Sequence, residues 1–297
     1  MKSTTLPVLA GLAFLSVSCG EKHPANAAKQ PDNATIVLAE KHYLPAAGTV
    51  ATKDTTMVMA DAAMKVKAGP QELEGSATQT ESGRETLEIL SRDKVRRLLV
   101  SKKAGGEITI NGKVQPTPKK ADPLEGLPVI LERSGETWTA SLESGAKPGP
   151  EQQSRVNKMA KDAGRDSDFQ MYGDTPRKPG DKWDVDPSKL LSFGEAEDVT
   201  GTYRVEFVEV KDFQGVRCAL LKATFDFKGK TESKGDKAPM DMEMKGEAIS
   251  HRSIADMIDL DVEINGTMTI SGSPAANVTM HVEGPTKITE KISLKRP

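Results

Sequence analysis

Apolar and polar positions alternate most cleanly near the C-terminus. From Ile258 to Ile270 the even positions are Ile, Leu, Val, Ile, Gly, Met and Ile, and the odd ones are Asp, Asp, Glu, Asn, Thr and Thr. A period of two sends successive side chains to opposite faces, so this stretch predicts a strand with one dry and one wet face. Met240, Met242, Met244 and Ala248 alternate with Asp241, Glu243, Lys245 and Glu247 in the same way. Val278, Met280 and Val282, then Ile288, Ile292 and Leu294, repeat it. In "YRVEFVEV" (203–210) the apolar positions begin odd and end even, which predicts a bulge near Phe207-Val208.

The first hundred residues after the N-terminus read as shorter β segments. Thr55–Lys67 has apolar residues at 58, 60, 62, 64 and 66. Residues 85–101 read as two strands around Ser91 to Lys94, because a helix would set both of those residues on the apolar stripe of Leu87, Leu90 and Leu98. Asn111-Gly112 marks a hairpin. A three-residue loop would set Ile110 against Val114, a better partner than Lys113. A further hairpin turns over Ser134-Gly135.

The middle of the chain changes period. Pro150 opens a helix with Val156, Met159, Ala160 and Ala163 on one face, and Gly164 stops it. Asp186-Pro187 starts a second helix that ends at Gly194. The expected fold is mainly β, a long antiparallel meander curled into a half-barrel or open barrel. A helical insertion at about 146–194 covers the dry face. Residues 34–297 read as one β-rich domain, with two β subdomains (34–145 and 195–297) as the alternative.

The N-terminus has a different character. Lys2 precedes a short apolar run, Leu6 to Val17, too short to span a bilayer at ~20 residues. Two cleavage contexts follow. Ala25-Asn26-Ala27 is an A-x-A site, but the charged Glu21 to Pro24 stretch separates it from the apolar run. Leu15-Ser16-Val17-Ser18-Cys19 abuts the run and resembles a relaxed lipobox, with Gly20 resembling the outer-membrane sorting pattern. Residues 1–18 therefore read as a signal peptide, Cys19 as the lipidated mature terminus and 19–33 as a tether. The expected location is the outer membrane, facing the periplasm or the cell surface, with a soluble periplasmic or secreted protein as the alternative. Cys218, the only other cysteine, reads as a small buried hydrophobe.

Composition narrows function mainly by exclusion. A net charge of -2 gives no electrostatic case for nucleic acid, and 4% aromatics argue against a sugar-stacking surface. The locally basic "SRDKVRRLLVSKK" (91–103) reads as the wet face of a strand.

The lipobox-like cysteine, the long alternating strands and the helical insertion together resemble the lipoprotein-carrier half-barrel group (the LolA-like fold). "PRKPGDKWDVD" (176–186) resembles a P-G-D-x-W element of exported bacterial β families. The carrier resemblance implies a concave apolar face that holds an acyl chain, and it transfers no functional residue. Within the element, Gly180-Asp181 makes a turn and Trp183 plugs one end of the sheet.

Candidate chemistry is sparse. His23, His42, His251 and His281 have no metal-pair spacing, and no nucleophile elbow or phosphate-binding loop occurs. Asp181, Asp184 and Asp186 do not fit a Ca²⁺ loop. Met240, Met242 and Met244 could offer thioethers to Cu(I). Neighbours on one strand face lie ~6.5–7 Å apart, however, and packing explains them better. No catalytic residue and no cofactor are expected. The expected partners are the membrane, through the lipid anchor, and an apolar ligand or an envelope protein. A purely structural protein without a pocket is the alternative.

Overall fold

The computed structural model describes residues 34–116, 121–190, 196–231 and 238–297. Strands β1 (Val50–Ala68), β2 (Gln71–Ser91), β3 (Lys94–Ile110), β4 (Lys113–Pro116), β5 (Val129–Ser134) and β6 (Thr137–Leu142) come first. Helices α1 (Pro150–Arg165) and α2 (Ser167–Tyr172) follow. Then come β7 (Lys182–Val185), β8 (Ala196–Phe213), β9 (Val216–Thr231), β10 (Asp241–Ser253), β11 (Asp259–Ala275) and β12 (Val278–Lys295). All pair antiparallel in one sheet of order β6-β5-β3-β2-β1-β12-β11-β10-β9-β8-β7, with β4 paired to β3. The sheet is mainly a meander that does not close into a barrel, as the alternation predicts. Its one long-range pairing, β1 with β12 from Val50↔Lys295 to Ala68↔Val278, joins the two halves. The outermost strands β6 and β7 are only 6 and 4 residues long, and β7 covers only Tyr203–Glu206 of the 18-residue β8.

Curling the sheet requires close backbone approach, and glycine permits it. Gly246 of β10 pairs directly with Gly266 of β11. A Cβ at Gly246 would lie 2.2 Å from the Asn265 carbonyl oxygen and 2.7 Å from the Gly266 Cα. On β12, a Cβ at Gly284 would lie 2.5 Å from the Ala62 Cβ. The missing side chains let the strands bend around one interior. Into it point Phe207 and Val205 of β8, Phe227 of β9, Met242 and Met244 of β10, and Val282 of β12, all nearly inaccessible to water.

Helix α1 starts as the sequence predicts. Pro150 occupies its first turn and the Gln152 side chain accepts from the Gly149 N–H. Its Val156 packs with Leu124, Val129 and Leu142, while Met159 and Ala163 meet the cluster of Ile89, Val95 and Leu131. The helix runs to Arg165, one residue past Gly164. Asp166, with φ 50°, turns the chain into α2.

Four local expectations need correction. In β1 the inward residues are Ala51, Lys53, Thr55, Met57 and Met59, and only then Ala62, Met64 and Val66. A bulge between Met59 and Ala63, with Asp61 at φ 48°, switches the face, so Val58 and Ala60 lie on the opposite side. The Asn111-Gly112 hairpin is a two-residue turn with Ile110 opposite Lys113. Both turn residues have positive φ (51° and 73°), the geometry that matches strand twist, and this outweighs the side-chain pairing. The β5–β6 turn sits at Gly135-Glu136, one residue later than expected. After Asp186 only a single 3-10 turn forms, Pro187–Lys189, capped by the Asp186 carboxylate accepting from the Ser188 N–H. Gly194, its expected stop, lies outside the described residues. The bulge expected near Phe207-Val208 is present between Phe207 and Glu209.

Candidate functional site

The space between the concave sheet face and the helices forms a cavity of about 530 Å³. That lies in the ~300–1,000 Å³ range of sites that enclose a small ligand. Residues of β1, β2, β3, β5, β6, β8 to β12 and the 122–127 segment line it, and its cover is α1, α2 and the His42–Pro45 segment.

One part of the wall is apolar and rich in sulfur. Met57, Met171, Met242, Met244 and Met268 belong to it, and with Met159 of α1 and Met257 seven of the 12 methionines in the chain line the cavity. Phe225, Ile264 and Ile288 complete this floor. Unbranched, polarizable thioethers re-pack cheaply, so the surface can adapt to a flexible apolar occupant. Met244 stands opposite Met268, and Met242 opposite Ile270. Met240 lies deeper, against Gly272. The three methionines of "MDMEM" thus share one inward face, and apolar side chains surround them.

A second part of the wall carries charge, which the sequence reading missed. Arg97 of β3 is bidentate with Glu85 of β2, its Nη2 donating at 2.9 Å. Lys102 meets Glu81 at 2.8 Å and Lys53 meets Glu290 at 3.0 Å. Arg155 of α1 meets Asp122 at 2.8 Å. Lys53 is only 1% exposed, Glu85 3% and Glu81 9%, so these charges are desolvated rather than wet. Burial pushes the Lys53 ammonium down to about 7, although the Glu290 carboxylate opposes the shift. The segment 91–103 therefore does not simply supply a wet face: Arg97 and Lys102 line the cavity. Arg96 on the other face pairs with Glu143 and Glu88. The available signal was the face parity of β1. Ala51, Met57 and Met59 share a phase with Lys53, but Val58 and Ala60 masked it.

A buried knot seats the cover. Arg252 of β10, 1% exposed, donates to the Leu38 carbonyl (2.7 Å), Asp259 (2.8 Å) and Asp168 of α2 (2.9 Å). Its guanidinium stacks 4.2 Å over the Tyr172 ring, and the Tyr172 hydroxyl donates to Asp259 at 3.1 Å. Burial raises the Asp259 carboxyl, with Arg252 opposing, and raises the Tyr172 phenol well above its usual value. Trp183 lies half-buried on the edge strand β7 and joins it to α2. Its indole N–H donates to the Met171 carbonyl at 2.9 Å, and Arg177 stacks on it at 4.1 Å.

The other candidates disperse. His251 stacks on Phe213 and faces Asp261, while His281 faces Glu283. Asp181 accepts from the Lys178 N–H, Asp184 is bidentate with Arg204, and Asp186 caps Ser188. Among the described residues no cluster of His, Cys, Asp and Glu could hold a metal ion. Cys218 is fully buried and burial pushes its thiol up to about 12, so it behaves as a small hydrophobe. Cys19 and His23 lie outside the described residues.

No family model matches the chain, and no curated protein matches it. Among solved structures, a lipovitellin described for its lipid–protein interactions aligns at 9% identity with a TM-score of 0.44, over 84% of this chain. The chain spans about a quarter of that lipovitellin chain (25%). An outer membrane channel of Pseudomonas putida F1 aligns at 8% identity with a TM-score of 0.22, over 85% of this chain and 97% of the channel.

Proposed function

We propose that this chain is a non-catalytic envelope lipoprotein that holds an apolar chain inside its curled sheet. The observation that carries this reading is the methionine-rich cavity of about 530 Å³ beneath the helical cover. A purely structural protein would fill that interior with its own side chains at close packing. The charged groups of the β1–β3 part of the wall support the non-catalytic part, since Lys53, Arg97 and Lys102 are ion-paired with Glu290, Glu85 and Glu81 on neighbouring strands. Cys19 anchors the domain to the outer membrane through residues 19–33, which places the cavity within reach of lipid.

Titration of the purified full chain with Nile red tests the reading. Saturable binding at one probe per chain is expected, together with at least a tenfold loss in Met268→Trp, whose indole occupies the floor. A folded protein that gives no saturable fluorescence change refutes it.

A further inference from the structure

The charged part of the wall contains a niche with a specific chemistry. Arg84 and Asp54 form a bidentate pair (2.7 Å, 2.7 Å) across β2 and β1 on the outer face. Thr55 and Gly83 are the neighbouring inward positions on these two strands, and both line the cavity. Thr55 is opposite Glu290 of β12, and Gly83 is opposite Lys102 of β3. Gly83 has no side chain, and a Cβ there would meet only the Ser101 carbonyl oxygen at 3.6 Å. Glu81 and Glu85 lie two positions to either side of Gly83 on β2, and Glu290, Lys53, Lys102 and Arg97 line the same cavity. One step along β1, Met57 stands opposite Ile288, and Ile288 stands opposite Ile264, so the niche opens onto the apolar floor.

Two acceptors in the niche are unused. Glu81 gives Oε1 to Lys102, and Glu290 gives Oε2 to Lys53. Glu81 Oε2 and Glu290 Oε1 are buried and have no hydrogen-bond partner. A buried acceptor left unmade is costly, so it selects an occupant that donates. At pH 6, below the value of about 7 to which burial brings Lys53, three carboxylates face three cations, so an added ion of either sign brings uncompensated charge into a dry site. The geometry points to an amphiphile with a neutral, hydroxyl-bearing head group, of the monoacylglycerol or long-chain alcohol class. Its hydroxyls donate to Glu81 and Glu290 above Gly83, and its chain lies along Met57, Ile288 and Ile264. This assignment deepens the cavity reading above and rests on it.

Displacement of Nile red from the full chain by 1-palmitoylglycerol, palmitate, hexadecylamine and hexadecane tests it. At pH 6 the glycerol ester is expected to displace the probe at concentrations at least about tenfold below the other three, the gain of one hydrogen bond to a charged acceptor. Gly83→Val fills the niche with a residue that suits a strand and is expected to abolish this preference, so that all four compounds displace the probe alike. Glu81→Gln and Glu290→Gln should each lose part of it. Equal displacement by all four compounds, or a preference for palmitate or the amine, overturns the head-group assignment with the cavity reading still standing. A preference that survives Gly83→Val moves the head group elsewhere and overturns it too. Failure of Nile red itself to bind removes the cavity reading and this assignment together.

Discussion

Replacing Arg252 with Leu should detach the helical cover from the sheet. The guanidinium carries three hydrogen bonds and a ring stack that link β10 to the segment around Leu38, to α2 and to Asp259. Losing the donor to Leu38 O strands a buried carbonyl, which costs about 1–3 kcal/mol. Breaking a buried ion pair from one side costs about 3–5 kcal/mol. The side chain of Asp168 is 56% exposed and rehydrates at a cost of at most ~1 kcal/mol. These losses overlap, so we expect about 4 kcal/mol at pH 7.5. Asp259, already raised by burial, rises further without its cation. Its folded-state affinity for protons then exceeds that of the unfolded chain, so the deficit should shrink as pH falls towards 5. Urea unfolding followed by intrinsic fluorescence and far-UV circular dichroism measures both effects. Trp183, tied to the end of α2 through Met171, should respond at lower urea than the strands in the variant. A loss below about 1 kcal/mol at pH 7.5, or one that grows on acidification, would contradict the role given to this knot.

Three further outcomes follow from the same structure. Gly246→Ala forces a Cβ to 2.2 Å from a backbone oxygen and should cost at least about 1–3 kcal/mol in urea titration; a neutral result would mean the strands do not approach there. Lys53, lowered to about 7, stays unfavourably charged below that pH, whereas the unfolded lysine binds its proton up to about 10.4. Stability should therefore rise with pH above 7, by up to ~1.4 kcal/mol per unit from this group, and Lys53→Met/Glu290→Gln should flatten the profile between pH 7.5 and 9.5. Cys19→Ala should move the exported protein from the detergent to the aqueous phase and lower its intact mass by the acyl groups; an unchanged partition would contradict the anchor.

Much of the strand plan is written in two-residue periodicity. β10, β11 and β12 announce themselves because one face is almost wholly apolar and the other polar. The β2–β3 turn is legible for a negative reason, since Ser91 and Lys94 would spoil a helix stripe. The charged part of the cavity was not legible, and the cause is physical. Its wall carries Lys53, Glu81, Glu85, Arg97, Lys102 and Glu290 on the inward face, where burial is compensated by pairing across strands. Alternation of apolar and polar residues cannot show a dry face built from paired charges. In β1 the bulge at Asp61 adds a change of phase that leaves Val58 and Ala60 looking inward. At Asn111-Gly112, backbone twist outweighs the pairing preference of Ile110. The methionines were visible from the start, but only the fold gathers seven of them around one space, four from the sheet and three from the helices and the β10–β11 turn.

The central claim, an apolar chain held inside the curled sheet, is tested most directly by photocrosslinking. A palmitoyl lipid with a diazirine at the end of its chain should label peptides of β10 and β11 that carry Met242, Met244 and Met268, and competing unlabelled lipid should suppress the labelling. Label confined to the outer face, around residues such as Glu243, Lys245 and Glu263, or label that competitor does not reduce, would contradict the claim.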